Sequence, residues 1–189
     1  MQSINEPRPL FGGAFSAVIP QSAADVSKLR EIPDNQEVFV HAHTDQSLIV
    51  ELLEYQAHVE DQEAARYHFE DIAGSNAASH PEAQEVTSVV PLHKPELSLS
   101  ACSCAWVLTG TQCVSKFNEE ARNMVRIHLA VFRLPQFDTE VLVTFNDPQR
   151  INPGSSSAAA GVSGGQPWTV EDFQHLLRSL TLHNPELFG

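Results

Sequence analysis

The sequence is short of positive charge. Its 189 residues hold 11 lysines and arginines against 24 aspartates and glutamates, a formal net charge of -13 with the histidines neutral. A balance of that sign repels phosphate backbones and anionic lipid, so a nucleic-acid binder is not expected. Cysteine is sparse and odd in number, at Cys102, Cys104 and Cys113. That count argues against a disulfide framework and for a reducing compartment. No apolar run approaches the ~18 residues of a membrane span. The opening stretch from Met1 to Pro7 lacks the basic and apolar regions of a signal peptide. The expected compartments are nucleus and cytoplasm, with no membrane insertion.

Signatures of covalent catalysis are also missing. Gly12-Gly13 has no G-x-G-x-x-G or Walker pattern around it and no following lysine, so it reads as a tight turn. No G-x-S-x-G elbow is present, and Cys113 lacks a local nucleophile signature. His41 and His43, at i and i+2 on an expected strand, have a spacing that can bind zinc or iron. No third ligand follows at a recognisable interval, so ordinary polar surface is the first reading and a metal-dependent enzyme the alternative. No cofactor is called for. Glu51 and Glu54 could form a carboxylate pair, but the acid around them favours docking over acid-base catalysis.

What the sequence does have is acid in one place. Between Glu31 and Asp71 lie eleven acidic residues and one basic residue, Arg66, for a net of -10, while the other 148 residues carry only -3. Charge this uneven points a field at something, and a basic protein surface or a cation fits it.

Hydrophobic residues make up 42% of the chain, enough for a core, and the length suits a single domain over 1–189. Ala14 to Ile19 reads as a strand, Asp25 as the start of one helical turn, and Glu37 to His43 as a second strand. Thr44 or Asp45 can cap a helix whose stripe is Leu48, Ile49, Leu52 and Leu53, with Glu51, Glu54 and His58 on the other side. Tyr67 and Phe69 alternate with polar neighbours, as in a strand. Gly74 to Glu85 is polar and turn-rich. Cys104 to Leu108 and Gln112 to Phe117 suggest a hairpin about Thr109-Gly110-Thr111. Met124 to Leu134 and Thr139 to Asn146 form the clearest strand pair, turning at Pro135 to Asp138. Residues 148–167 read as a flexible loop, rich in Gly, Ser and Ala from Pro153 onward. Thr169 then caps a helix with Phe173, Leu176, Leu177 and Leu180 inward. Leu187 and Phe188 are expected to dock. The fold class is α+β, a mostly antiparallel sheet flanked by α-helices. No coiled-coil pattern argues for a dimer, so a monomer is expected.

Several blocks resemble the Ran guanine-nucleotide release factor (Mog) family. They are Leu10-Phe11-Gly12-Gly13-Ala14, Val18-Ile19-Pro20, Asp25-Val26-Ser27 with Leu29-Arg30, and Pro33-Asp34-Asn35-Gln36-Glu37-Val38. Asp45 to Glu54, Tyr67 to Asp71, Arg133 to Thr139, Ser179 to His183 and Leu187-Phe188-Gly189 continue the match. Gly74 to Leu99 and Pro148 to Gln166 look poorly matched. The resemblance implies a fold similar to the PsbP proteins, an α/β/α sandwich. It implies binding to the small GTPase Ran, release of its guanine nucleotide with GTP preferred, and support of nuclear protein import. The matching positions of the family's acidic Ran surface are Asp34, Glu37, Glu51 and Glu54. For vertebrate members it also implies help in delivering a voltage-gated sodium channel to the cell surface. The rival reading is a binding adaptor whose nucleotide release is incidental.

Overall fold

The computed structural model describes residues 6–75, 83–114, 123–150 and 166–189. Alternating side chains and tight turns build two sheets. β1 (Pro7–Leu10), β2 (Phe15–Val18) and β10 (Thr181–Leu182) form a three-stranded antiparallel sheet in the order β1-β2-β10. The larger sheet runs β3 (Ala23–Asp25), β4 (Gln36–His41), β5 (Ser47–Glu54), β9 (Thr139–Arg150), β8 (Asn123–Leu134), β7 (Cys104–Val114) and β6 (Gln84–Pro91), with every pairing antiparallel.

Side chains alternate across the pleat, so each strand feeds two cores. On one face, α1 (Ala64–Ser75) lays Ala65 and Phe69 over Leu108, Leu129, Val131 and Leu142. On the other, Phe39, Leu48, Val50, Phe132, Val143 and Phe145 meet Phe173, Leu176 and Leu177 of α2 (Val170–Ser179) and Phe15 of β2. Thr169 caps α2 through a reciprocal pair: Asp172 N–H donates to Thr169 Oγ1 at 3.2 Å, and Thr169 N–H donates to Asp172 Oδ2 at 2.8 Å. Such a cap stabilises a helix by about 1 kcal/mol. Phe188 docks, stacked on Phe137 with centroids 4.9 Å apart, but Leu187 stays exposed. The sandwich expected from the sequence is present, and Phe11, Gly12 and Gly13 all have positive φ, a tight turn.

Three element assignments differ from expectation. Ser47 to Glu54 is a strand, not a helix. Its apolar run fits either period, and pairing with β4 on one side and β9 on the other decides for the strand. The helix comes later, over Tyr67 and Phe69, because Ala65, Phe69 and Ala73 repeat every four residues and all three are buried. Cys104 to Val114 is one continuous strand with Gly110 in its middle. That glycine marks a close approach rather than a turn. A Cβ there would lie 2.6 Å from the Glu85 carbonyl oxygen and 2.8 Å from the Phe69 ring. Residues 148–150 of the expected loop belong to β9, and 151–165 lie outside the described residues. So do 115–117 of the expected hairpin and 76–82 of the expected polar stretch.

Gly110→Ala is therefore expected to destabilise the protein by about 1–3 kcal/mol, the usual range for overpacking. Urea unfolding measures it, and an unchanged midpoint would mean that both the Glu85 backbone and the Phe69 ring move aside freely.

Candidate functional site

The candidate acids gather at one end of the β4–β5 pair. The two strands pair so that Gln36 faces Glu51 and Glu37 faces Val50. Asn35 fastens the preceding turn to β5: its carbonyl accepts from Leu52 N–H at 2.9 Å, and its Nδ2 donates to the Leu52 carbonyl at 3.0 Å. This clamp holds Asp34 beside the stretch from Glu51 to Glu54. The sequence separates Asp34 and Glu51 by seventeen positions, and the register closes that gap.

The pleat divides the three that lie on strands. Glu51 lies on the α1 face of the sheet, where its Oε2 accepts from Gln36 Nε2 at 2.9 Å. Glu37 and Glu54 follow the opposite alternation. The expectation that Glu51 and Glu54 share one helical face is thus corrected, since three residues along a strand reverse the side. Asp34 and Glu54 are exposed, while Glu37 and Glu51 are half-buried. Glu37 also has internal work: its Oε1 accepts from Phe11 N–H at 2.8 Å. Phe11 has φ of 53°, sparsely populated by bulky residues, so Glu37 helps hold that turn.

His41 and His43 do not make a metal pair. β4 ends at His41, and the chain turns away. His41 is buried; its Nδ1 accepts from the backbone N–H of His43 at 3.0 Å and of Thr44 at 3.1 Å. Its Nε2 donates to the Gln166 carbonyl at 2.8 Å. Both ring nitrogens are engaged, leaving no lone pair for a cation. Among the described residues no group of three His, Cys, Asp or Glu could hold a metal ion.

Sequence reasoning missed the group that positions this end of the sheet. Arg133 and Glu140 face each other across β8 and β9 and are buried. Arg133 Nε donates to Glu140 Oε1 at 2.6 Å. Its remaining nitrogens donate to the Gln56 carbonyl at 2.6 Å, the Val59 carbonyl at 2.8 Å and Asp61 Oδ1 at 2.8 Å. The guanidinium sits 4.4 Å from the Tyr55 ring centre. The other Glu140 oxygen bonds His68 Nε2 of α1 at 3.0 Å. Residues 55–61, which follow directly on Glu54, are held by this network. Burial works to raise the Glu140 pKa, but the hydrogen bond and charge of His68, with the Arg133 guanidinium, outweigh it and hold the carboxyl below its usual value. The available signal was two charged residues on either side of the Pro135 turn, each next to an apolar run, Leu129 to Phe132 and Val141 to Val143.

The family model for "Ran-interacting Mog1 protein" matches residues 8–148. The chain belongs to the Mog1 family. It is 59% identical to the Ran guanine nucleotide release factor of Danio rerio, over 96% of this chain and 99% of that one. It is 32% identical to the nuclear import protein MOG1 of Saccharomyces cerevisiae, over 98% of this chain and 85% of that one. The crystal structure of the S. cerevisiae Ran-binding protein Mog1p superposes with a TM-score of 0.73, covering 98% of both chains. At 24% identity in that superposition the likeness speaks for the fold, and it is the α+β fold described above.

The network sets two expectations. Arg133→Met alone should destabilise this Mog1-family chain by about 3–5 kcal/mol, because buried Glu140 loses its guanidinium partner and keeps only His68, while the Gln56 and Val59 carbonyls lose their donor, and adding Glu140→Leu should recover part of it. Chemical denaturation of the two variants checks this. Because the folded Glu140 pKa is depressed, its contribution is complete above the ordinary glutamate value of 4.5 and is lost as pH falls through the lower folded value. The melting temperature should therefore fall on the acid side, with a shallower slope in Glu140→Gln.

Proposed function

We propose that this chain binds the small GTPase Ran through the acidic end of its β4–β5 pair, at Asp34, Glu37, Glu51 and Glu54. By that binding it promotes release of Ran's guanine nucleotide, GTP preferentially, and supports nuclear protein import, acting as a monomer in nucleus and cytoplasm. One observation carries the placement: strand register and the Asn35–Leu52 clamp bring acids distant in sequence to one end of one sheet. Family membership and the names of the relatives support the partner.

The mechanism needs no bond making. A release factor binds the nucleotide-free or loosened GTPase better than the loaded one, and nucleotide affinity falls by the same ratio. Acids near a nucleotide pocket suit this, because they draw away a lysine or arginine that held phosphate and repel the phosphate itself. Of the four, Glu51 and Glu54 are the informative ones to change, since Glu37 also holds the Phe11 turn.

Loss of labelled GTP from Ran should accelerate when this protein is added. The Glu51→Lys/Glu54→Lys double variant should keep its circular dichroism and melting curve while losing Ran binding and the acceleration. A folded double variant that binds normally would sink the acidic surface. Binding of the unaltered chain should weaken steeply with added salt. If affinity and release rate fail to track one another across variants, an adaptor role is favoured over release.

A further inference from the structure

One stretch of the large sheet is covered by neither helix. Val38, Val40 and Ile49 lie on the α1 face, as the cross-strand pairs Val38–Ile49 and Val40–Ser47 require. None of the three packs into either hydrophobic cluster among the described residues. Instead they line an open groove of about 550 Å³, with Ile127 beneath and Arg30 and Asp45 at its rim. Val40 and Ile49 are half-buried, so their methyl groups meet solvent there. Val38 is closed at 8% exposure, so Val40 and Ile49 are the half-open aliphatic side chains on this face, and such side chains mark an interaction surface better than a core.

The Val38–Ile49 edge of the groove adjoins the acidic site, although Glu51 itself does not line the groove. On the same face, the next cross-strand pair after Val38–Ile49 is Gln36–Glu51, two residues or about 7 Å along the strands. The charges of Arg30 and Asp45 offset one another at the rim, so the net field at the Glu51 end is negative. Tight interfaces commonly pair a desolvated apolar anchor with charged groups at its margin, the first supplying affinity and the second orientation.

We propose that Ran's contact with this chain is anchored in the groove: an aliphatic side chain of Ran seats on Val40 and Ile49, and a lysine or arginine beside it reaches Glu51. This rests on the reading of the chain as a Ran binder and assigns it an apolar half. The acids then steer and orient, while the groove holds.

The test measures Ran affinity by titration for Val40→Lys and Ile49→Lys, with Val90→Lys on the far edge strand β6 as the control. The two groove variants should bind at least tenfold more weakly and the control within twofold of the unaltered chain. Groove variants that bind within twofold would overturn the proposal while leaving Ran binding intact. An unaltered chain that fails to bind Ran would sink the wider reading and the groove with it. Sedimentation of the free chain covers a second occupant: a dimer split by Ile49→Lys would mean that the groove seats another copy, against the proposal. Methyl NMR of the unaltered chain decides the matter even if the variants do not fold. The Val40 and Ile49 methyls should be open to a dissolved paramagnetic agent in the free chain and shielded once Ran is added. Shielding already complete in the free chain, or absent in the complex, would overturn the assignment.

Discussion

The pairing of Arg133 with Glu140 is the interaction on which the arrangement of this protein depends. Two charges with almost no solvent exposure stand opposite one another on the two longest strands. Burial of that kind is stable only where every donor finds an acceptor. Here the guanidinium reaches the backbone of Gln56 and Val59 and the carboxylate of Asp61, and Glu140 reaches His68. One ion pair thus joins the centre of the sheet, the connection leaving β5, and the helix that covers one face. A hydrophobic substitute of equal volume would fill the space, but it would offer nothing to the carbonyls of Gln56 and Val59.

That constraint reaches the acidic site through chain continuity. Glu54 is the last residue of β5, and the network grips the chain from Tyr55 onward. On the other side, the Asn35–Leu52 clamp fixes the turn carrying Asp34. The acids are therefore held by backbone on both sides, and little ordering remains to be done when a partner arrives, which favours affinity. The pleat gives the site two aspects. Glu51 lies one same-face cross-strand pair beyond the Val38–Ile49 edge of the groove, whereas Glu37 turns to the other face and steadies the strained Phe11 turn.

Much of this was legible in the residues. The β8–β9 hairpin announced itself through the alternation of Val125, Ile127, Leu129 and Val131 and the Pro135 turn, and the α2 cap through Thr169 and Asp172. The charge count located the acidic segment, and the residue blocks named the family. What failed were segments where local pattern is ambiguous. Leu48 to Leu53 is apolar at both helical and strand spacing, and only its neighbours β4 and β9 settle it. Tyr67 and Phe69 alternate over so short a span that the longer repeat of Ala65, Phe69 and Ala73 was masked. Gly110 looked like a turn because a glycine in a strand gives no hint of the ring packed against it. The Arg133–Glu140–His68 network and the groove are products of tertiary register, which a linear reading does not contain.

On the proposed reading, this Mog1-family chain works by preference between two states of its partner, with acid and groove as the contact. Linkage makes that claim measurable without following any reaction. The direct measurement is the affinity of this chain for nucleotide-free Ran and for Ran loaded with GTP, by titration at one ionic strength. The expected result is binding at least tenfold tighter to the nucleotide-free form, matched by an equal loss of GTP affinity when the chain is bound. Equal affinity for the two forms would contradict it, because a ligand that binds both states alike shifts neither.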